Sequence, residues 1–212
     1  ELAALPITDW GVDAAVGSIN AMVTEVCARL EREGAVGWSP AQYGADDAQR
    51  VRALRDSGIL DASLRGTFDS AARRAADIFD VPVAMVTLID EQWQYTHGDS
   101  AKAGRVGIGE PERGPERGAS MCGHVVADGA ALVVPDVQRD PRFAANPVLI
   151  ENGIRFYAGA PLRDSEGHIL GTLCLLDTQP RTMSLRDAKL LESLADEVMV
   201  PLRNRSCPNG AV

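Results

Sequence analysis

The stretch from Ala131 to Asp177 constrains this chain more than any other. It runs ALVVPD, then QRDPRFAANP, then IRFYAGAPL, then RDSEGHILGTLCLLD. The order predicts a strand, an aspartate-rich turn, a short helix, a strand, a hairpin turn and a strand. Two paired strands and a structured surface loop are thereby specified within a single span. The Asp164-Ser165-Glu166-Gly167 turn suits a type I hairpin turn with glycine in the left-handed position.

The flanking segments supply the other elements. Pro82 to Ile89 is almost wholly apolar and rich in β-branched residues, which fits a central strand buried on both faces. Gln92 to His97 alternates, with Trp93 and Tyr95 on one face and Gln92, Gln94 and Thr96 on the other. That pattern predicts a half-exposed strand, joined to its predecessor through Asp90-Glu91. Helices are predicted over Asp47–Ser57 and Leu64–Phe79, the second with Phe68, Ala71, Ala72, Ala75, Ala76 and Phe79 on a broad apolar face. A short helix fits Met121–Asp128 with Ser120 as its cap. Ser184 with Asp187 opens a helix to Val200 in the manner of a capping box, and Pro201 is expected to kink or end it. Gly98 to Ala119, containing PERGPERG, is expected to be a low-complexity loop, either a lid or disordered. Helices at both ends of an antiparallel-patterned set of strands define an α+β domain.

Before this domain, Asp9 to Arg32 follows a helical pattern closed by Gly34. Val12, Val16, Ile19, Val23, Val26 and Leu30 are spaced 4, 3, 4, 3, 4, the repeat of a helix seeking a partner along a narrow seam. The seam either pairs with another helix, as in a dimer, or packs on its own domain. The expected organisation is an N-terminal helix over 1–33, a connector over 34–45, a globular domain over 46–204 and a tail over 205–212. Trp38 and Tyr43 in the connector are expected to tuck against the domain.

With 21 basic against 30 acidic residues and a net charge of −9, a nucleic-acid or anionic-membrane surface has little electrostatic support. The longest apolar runs fall far below the ~18 residues of a spanning helix. Four cysteines without a CxxC pair make no disulfide framework, so a cytoplasmic setting is expected. The chain begins with Glu1 rather than Met, so either a trimmed chain or one excised from something longer is expected.

The phrases ALRDSGILD, FDSAARRAADIFDVPVAMVTLIDEQWQY, MCGHVV, LVVPDVQRDPRFAANP, IRFYAGAPL and GHILGTLCLLD, in this order, resemble the GAF domain family over roughly Asp46 to Val200. The resemblance implies a sheet of five or six antiparallel strands, with helices from both domain ends on one face. It also implies a ligand between the sheet and the layer of loop and short helices, near Trp93, Cys122, His124, Phe143 and Tyr157. In the Pro135–Pro147 loop, Arg142, with Tyr157 or Arg155, is a candidate to meet an anionic or aromatic ligand. The alternative is that Asp140 and Arg142 staple the loop while Phe143 anchors it.

Other chemistries fit less well. In bilin-binding relatives histidine directly follows the attachment cysteine. Here Gly123 intervenes, so Cys122 and His124 point about 200° apart on a helix. His97, His124 and His168 have no metal-ligand spacing, and no cofactor is expected. The asparagine-lysine-phenylalanine-aspartate-glutamate constellation of cyclic-nucleotide-binding relatives is missing, as is a phosphate-cradling glycine loop. The expectation is a non-catalytic sensory or regulatory domain, not an enzyme. It would bind a small molecule, pass occupancy through its terminal helices in signal transduction, and form a homodimer through them, with neither nucleic acid nor membrane as partner. A dimerisation module with a self-filled pocket is the alternative, and a thiol enzyme of the free methionine sulfoxide reductase type, using Cys122, is a further one.

Overall fold

A computed structural model describes residues 38–100 and 112–205. The predicted N-terminal helix with its seam, residues 34–37 of the connector and residues 206–212 lie outside the described residues.

The strands are β1 (Val83–Ile89), β2 (Trp93–Asp99), β3 (Glu112–Glu116), β4 (Leu132–Val134), β5 (Phe156–Arg163) and β6 (Ile169–Asp177). They form a single antiparallel sheet in the order β3-β2-β1-β6-β5-β4. The apolar strands occupy its centre, with Val83 opposite Leu176 and Tyr157 opposite Leu176 on the other side. The β5–β6 hairpin closes at the predicted turn. There the Asp164 carboxylate accepts from the amides of Glu166 (2.9 Å) and His168 (2.8 Å), and Gly167 takes a φ of 90° that a side chain would resist.

The pleat sends alternate residues to two different layers. Ala84, Val86, Leu88, Phe156, Ala158, Ala160, Leu173 and Leu175 face one core. Against it pack α1 (Asp47–Asp56), α2 (Arg65–Ile78) and α5 (Leu185–Arg205). In α2 the buried positions are Phe68, Ala72, Ala75 and Ala76, and the three alanines let the helix lie close to the strands. On the opposite face Ile89, Tyr157 and Cys174 meet two short helices, α3 (Met121–Asp128) and α4 (Pro147–Glu151). Helices from both ends of the domain thus cover one face, and the short helices roof the other.

Arg50 of α1 locks the helical layer to the hairpin ends. Its guanidinium, 7% exposed, donates to the carbonyls of Ile89 (2.6 Å), Asp90 (3.1 Å) and Ile169 (3.5 Å). Asp47 pairs with it at 2.7 Å and also with Arg117, whose guanidinium lies 3.8 Å from the centre of the Tyr43 ring. Tyr43 and Trp38 both pack onto the domain, Trp38 being 9% exposed.

Three predicted features differ. The PERGPERG segment is not wholly a loop, because Glu112–Glu116 pairs with β2 as an edge strand. An edge strand tolerates Pro115, since one side of it has no strand partner among the described residues. The last helix runs through Pro201 to Arg205, so the proline neither ends it nor sets its limit. On β2 the predicted alternation does not run through to His97: Gln94, His97 and Gly98 are buried, while Trp93, Tyr95 and Thr96 are half-buried. Further along, His97 is the extra residue of a bulge, since Val86 pairs with Gly98 and Thr87 with Thr96.

Candidate functional site

A cleft of about 400 Å³ opens between the sheet and the roof of short helices. Its floor comes from Met85 of β1, Gln94 and Thr96 of β2, Tyr157 of β5 and Leu176 of β6. Its roof comes from Ser120, Met121 and Cys122 at the start of α3 and from Val148, Leu149 and Asn152 of the α4 segment. Gly114 and Pro115 of β3 form one wall. Two other hollows, of about 180 Å³ beside Phe79 and Met183 and about 310 Å³ beside Trp93 and Arg117, are smaller and more polar.

Local sequence explains how the roof is held. Ser120 caps α3, its hydroxyl accepting from the Gly123 amide at 3.2 Å and donating to the Gln94 side-chain oxygen. That bond satisfies an inward-pointing polar group, which would otherwise cost about 1–3 kcal/mol. Asn146, 1% exposed, caps α4 by accepting from the Val148 amide at 3.0 Å. Its amide nitrogen donates to the Ala119 carbonyl at 2.9 Å, so one side chain joins both halves of the roof. The connector also reaches it, through Ser39 N to Arg142 O at 3.3 Å and Ala41 N to Gly118 O at 3.1 Å.

Of the seven residues singled out from the sequence, the fold brings Cys122 and Tyr157 into the cleft lining. The Tyr157 hydroxyl donates to Cys122 Sγ at 3.4 Å. Cys122 Sγ in turn touches Cys174 Sγ at 3.7 Å, and the Thr87 and Thr172 hydroxyls meet beside them at 2.8 Å. Burial pushes the Tyr157 phenol well above its ordinary value.

The other five lie outside the lining. Trp93 flanks β3, with the Arg113 guanidinium 4.4 Å from its ring centre. His124 meets Phe143 edge-on at 4.9 Å, and its buried Nε2 has no hydrogen-bond partner among the described residues. Burial lowers the pKa of His124, favouring neutral imidazole. Phe143 is fully buried as the anchor of its loop. Arg142 grips Asp140 at 3.0 and 2.6 Å, and Arg155 grips Asp136 twice at 2.9 Å. These hydrogen bonds hold both carboxyl groups below the usual range. The two arginines are loop staples in this geometry. Gln94, Thr96, Ser120 and Asn152 were not singled out. Only the capping role of Ser120 had a sequence signal. No group of three or more potential metal ligands occurs among the described residues. No helix among them is long and apolar enough to cross a membrane.

A six-stranded antiparallel sheet with long helices on one face and a roofed cleft on the other defines an α+β domain, and the GAF domain family model matches residues 63–202. The chain belongs to the GAF domain family.

Among curated proteins it is similar to a cyclic di-GMP phosphodiesterase of Pseudomonas aeruginosa, 33% identical over 169 residues. That match covers 79% of this chain and spans only 27% of the relative's length. Among solved structures, the free methionine-R-sulfoxide reductase of Neisseria meningitidis in complex with its substrate aligns with a TM-score of 0.54 at 18% identity. It covers 78% of this chain and 98% of that one. The GAF domain of the Acinetobacter phosphoenolpyruvate-protein phosphotransferase aligns with a TM-score of 0.53 at 17% identity, covering 76% and 92%. At these identities the structures establish the shared fold. The curated relative corrects one expectation from the sequence. It is by name an enzyme, so the reading of this chain as a non-enzyme is withdrawn.

Proposed function

We propose that this chain is a sensory or regulatory GAF domain whose cleft takes up a small molecule. The observation that carries the reading is the cleft itself. Its volume lies within the range of about 300–1,000 Å³ typical of ligand sites, with apolar Met85, Met121, Leu149 and Ile154 beside polar Gln94, Thr96, Asn152 and Tyr157. Such a lining suits a compact, largely apolar molecule with a hydrogen-bonding edge. Occupancy would be passed outward by the roof, because the backbone of Ser39 and Ala41 is bonded to it and leads in sequence toward the segment predicted as an N-terminal helix. Transmission requires two arrangements of that layer with different ligand affinity.

The likeness to a phosphodiesterase supports a place in cyclic di-GMP signalling. Free thiols at Cys122 and Cys174 support a cytoplasmic setting. Homodimerisation through the terminal helices is supported by the sequence seam and by Leu190 and Val200, exposed on α5 at 41% and 46%.

Native mass spectrometry of the purified protein, with a thermal-shift screen of metabolites, tests the reading. A ligand at 100 times its dissociation constant stabilises by about 2.7 kcal/mol. Met85→Trp, which fills the cleft, is expected to abolish the shift. The absence of both a bound mass and any shift would favour a dimerisation module instead.

A further inference from the structure

Beneath the cleft, in a layer otherwise filled by hydrocarbon, five side chains bring polar atoms together: Thr87, Cys122, Tyr157, Thr172 and Cys174. All five are buried, Cys122 at 3% exposure and Cys174 at 0%. Their sulfurs come from separate elements, Cys122 from the first turn of α3 and Cys174 from the middle of β6. At 3.7 Å the two sulfurs are in contact. A disulfide bond is about 2.05 Å long, so the two sulfurs must approach by less than ~2 Å to bond. Cys122 lines the cleft, whereas Cys174 does not. A small solute therefore reaches Cys122 first, and Cys174 only through it.

We propose that Cys122 and Cys174 form an oxidisable dithiol, closed to an intramolecular disulfide by a small hydroperoxide admitted through the cleft. The Cys122 thiolate attacks the outer oxygen of the O–O bond. The sulfur becomes a sulfenic acid and the peroxide leaves as an alcohol, or as water from hydrogen peroxide, after taking the thiol proton. The Cys174 sulfur then attacks Cys122 Sγ. The expelled hydroxide takes the Cys174 proton and departs as water. Two thiols thus lose two electrons and two protons, and the peroxide gains them.

Position assigns these roles, since Cys122 lines the cleft and Cys174 lies behind it, and the surroundings agree. Burial opposes ionisation of Cys122, but hydrogen bonds with Cys174, Thr172, Thr87 and Tyr157 outweigh it and hold this thiol low, as does its place at a helix N-terminus. Cys174 is pushed well up by its hydrogen bond with Cys122 and by burial, which suits the resolving partner. The reaction needs no cleft ligand, so it stands independently of the sensory reading.

The test exposes the folded protein to a few equivalents of hydrogen peroxide, then alkylates it in denaturant and maps its peptides. The expected result is a peptide pair joined through Cys122 and Cys174, lighter by two hydrogen atoms and restored by dithiothreitol. A chain with Cys27→Ser and Cys207→Ser should give the same mass loss on the whole protein. Mapping of the unsubstituted chain decides the matter if that variant does not fold. Full alkylation of both cysteines after peroxide would overturn the proposal. So would oxygen addition at Cys122 with Cys174 still alkylated.

Discussion

The ring of Tyr157 lies over Gly159, two residues further along the same strand, and a side chain on that glycine would collide with the phenol. Gly159 faces Cys174 across the β5–β6 pairing. The missing side chain is what lets the hydroxyl reach Cys122.

Gly159→Ala is therefore expected to push Tyr157 off the floor and into the cleft. The cost of such overpacking is about 1–3 kcal/mol, read as a lower denaturation midpoint. Removing the hydroxyl with Tyr157→Phe in the same chain should recover part of that loss. A double-mutant cycle measures the coupling, and strict additivity would rule out the contact.

Arg50→Met removes the donor shared by the carbonyls of Ile89, Asp90 and Ile169 and leaves Asp47 with Arg117 alone. The expected loss is about 3 kcal/mol or more, because buried acceptors lose their partner. Urea denaturation should show a lower midpoint at an unchanged slope.

His97, 8% exposed in its bulge, has its pKa lowered by burial from 6.5 to about 4. Between these values the unfolded chain binds the proton and the folded chain does not. Stability is therefore present in full above pH 6.5 and falls as pH drops toward 4, by about 3 kcal/mol for this residue. His124 acts in the same direction. Asp47, Asp136, Asp140 and Asp187 add their losses at the acid end, since each is held below its ordinary value of 3.8. His97→Asn should flatten the slope between pH 6.5 and 4 in denaturation series, and an unaltered slope would refute the assignment.

Changing Ile19 and Val23 to glutamate places charges on the seam predicted for the N-terminal helix. Light scattering is expected to report half the mass of the unsubstituted protein. An unchanged mass would remove the seam from the account of assembly.

The parts of this fold that were legible in the sequence are those where local chemistry and burial agree. β1, β5 and β6 are covered on both faces, so their apolar runs named them as neighbours. Ser120, Asn146 and the Ser184–Asp187 pair do local work, with side-chain bonds to amides two or three residues away. Longer-range partners had no such signal. Gln94 points inward because Ser120, distant in sequence, satisfies it, and alternation alone separated two faces of the strand without saying which is buried. β3 has the composition of a turn and owes its extended form to β2. The Asp140–Arg142 staple was one of two readings offered by the sequence, whereas Arg155 looked like a cation available to a ligand and is instead held by Asp136, 19 residues away. The cleft was legible as a layer and not as a lining, since its polar residues come from six separate segments, at Gln94 and Thr96, Arg113, Ser120, Asn152, Tyr157 and Thr178.

Pro115 has a consequence for how this protein can associate. It offers no amide hydrogen at one border of the sheet, in a strand whose pairing with its neighbour already slips by a residue, and the opposite border is only three residues long. Neither margin is a template onto which another chain could extend the sheet. Self-assembly is thereby steered away from strand-by-strand growth, the route to fibrils, and toward contacts between side chains on helices.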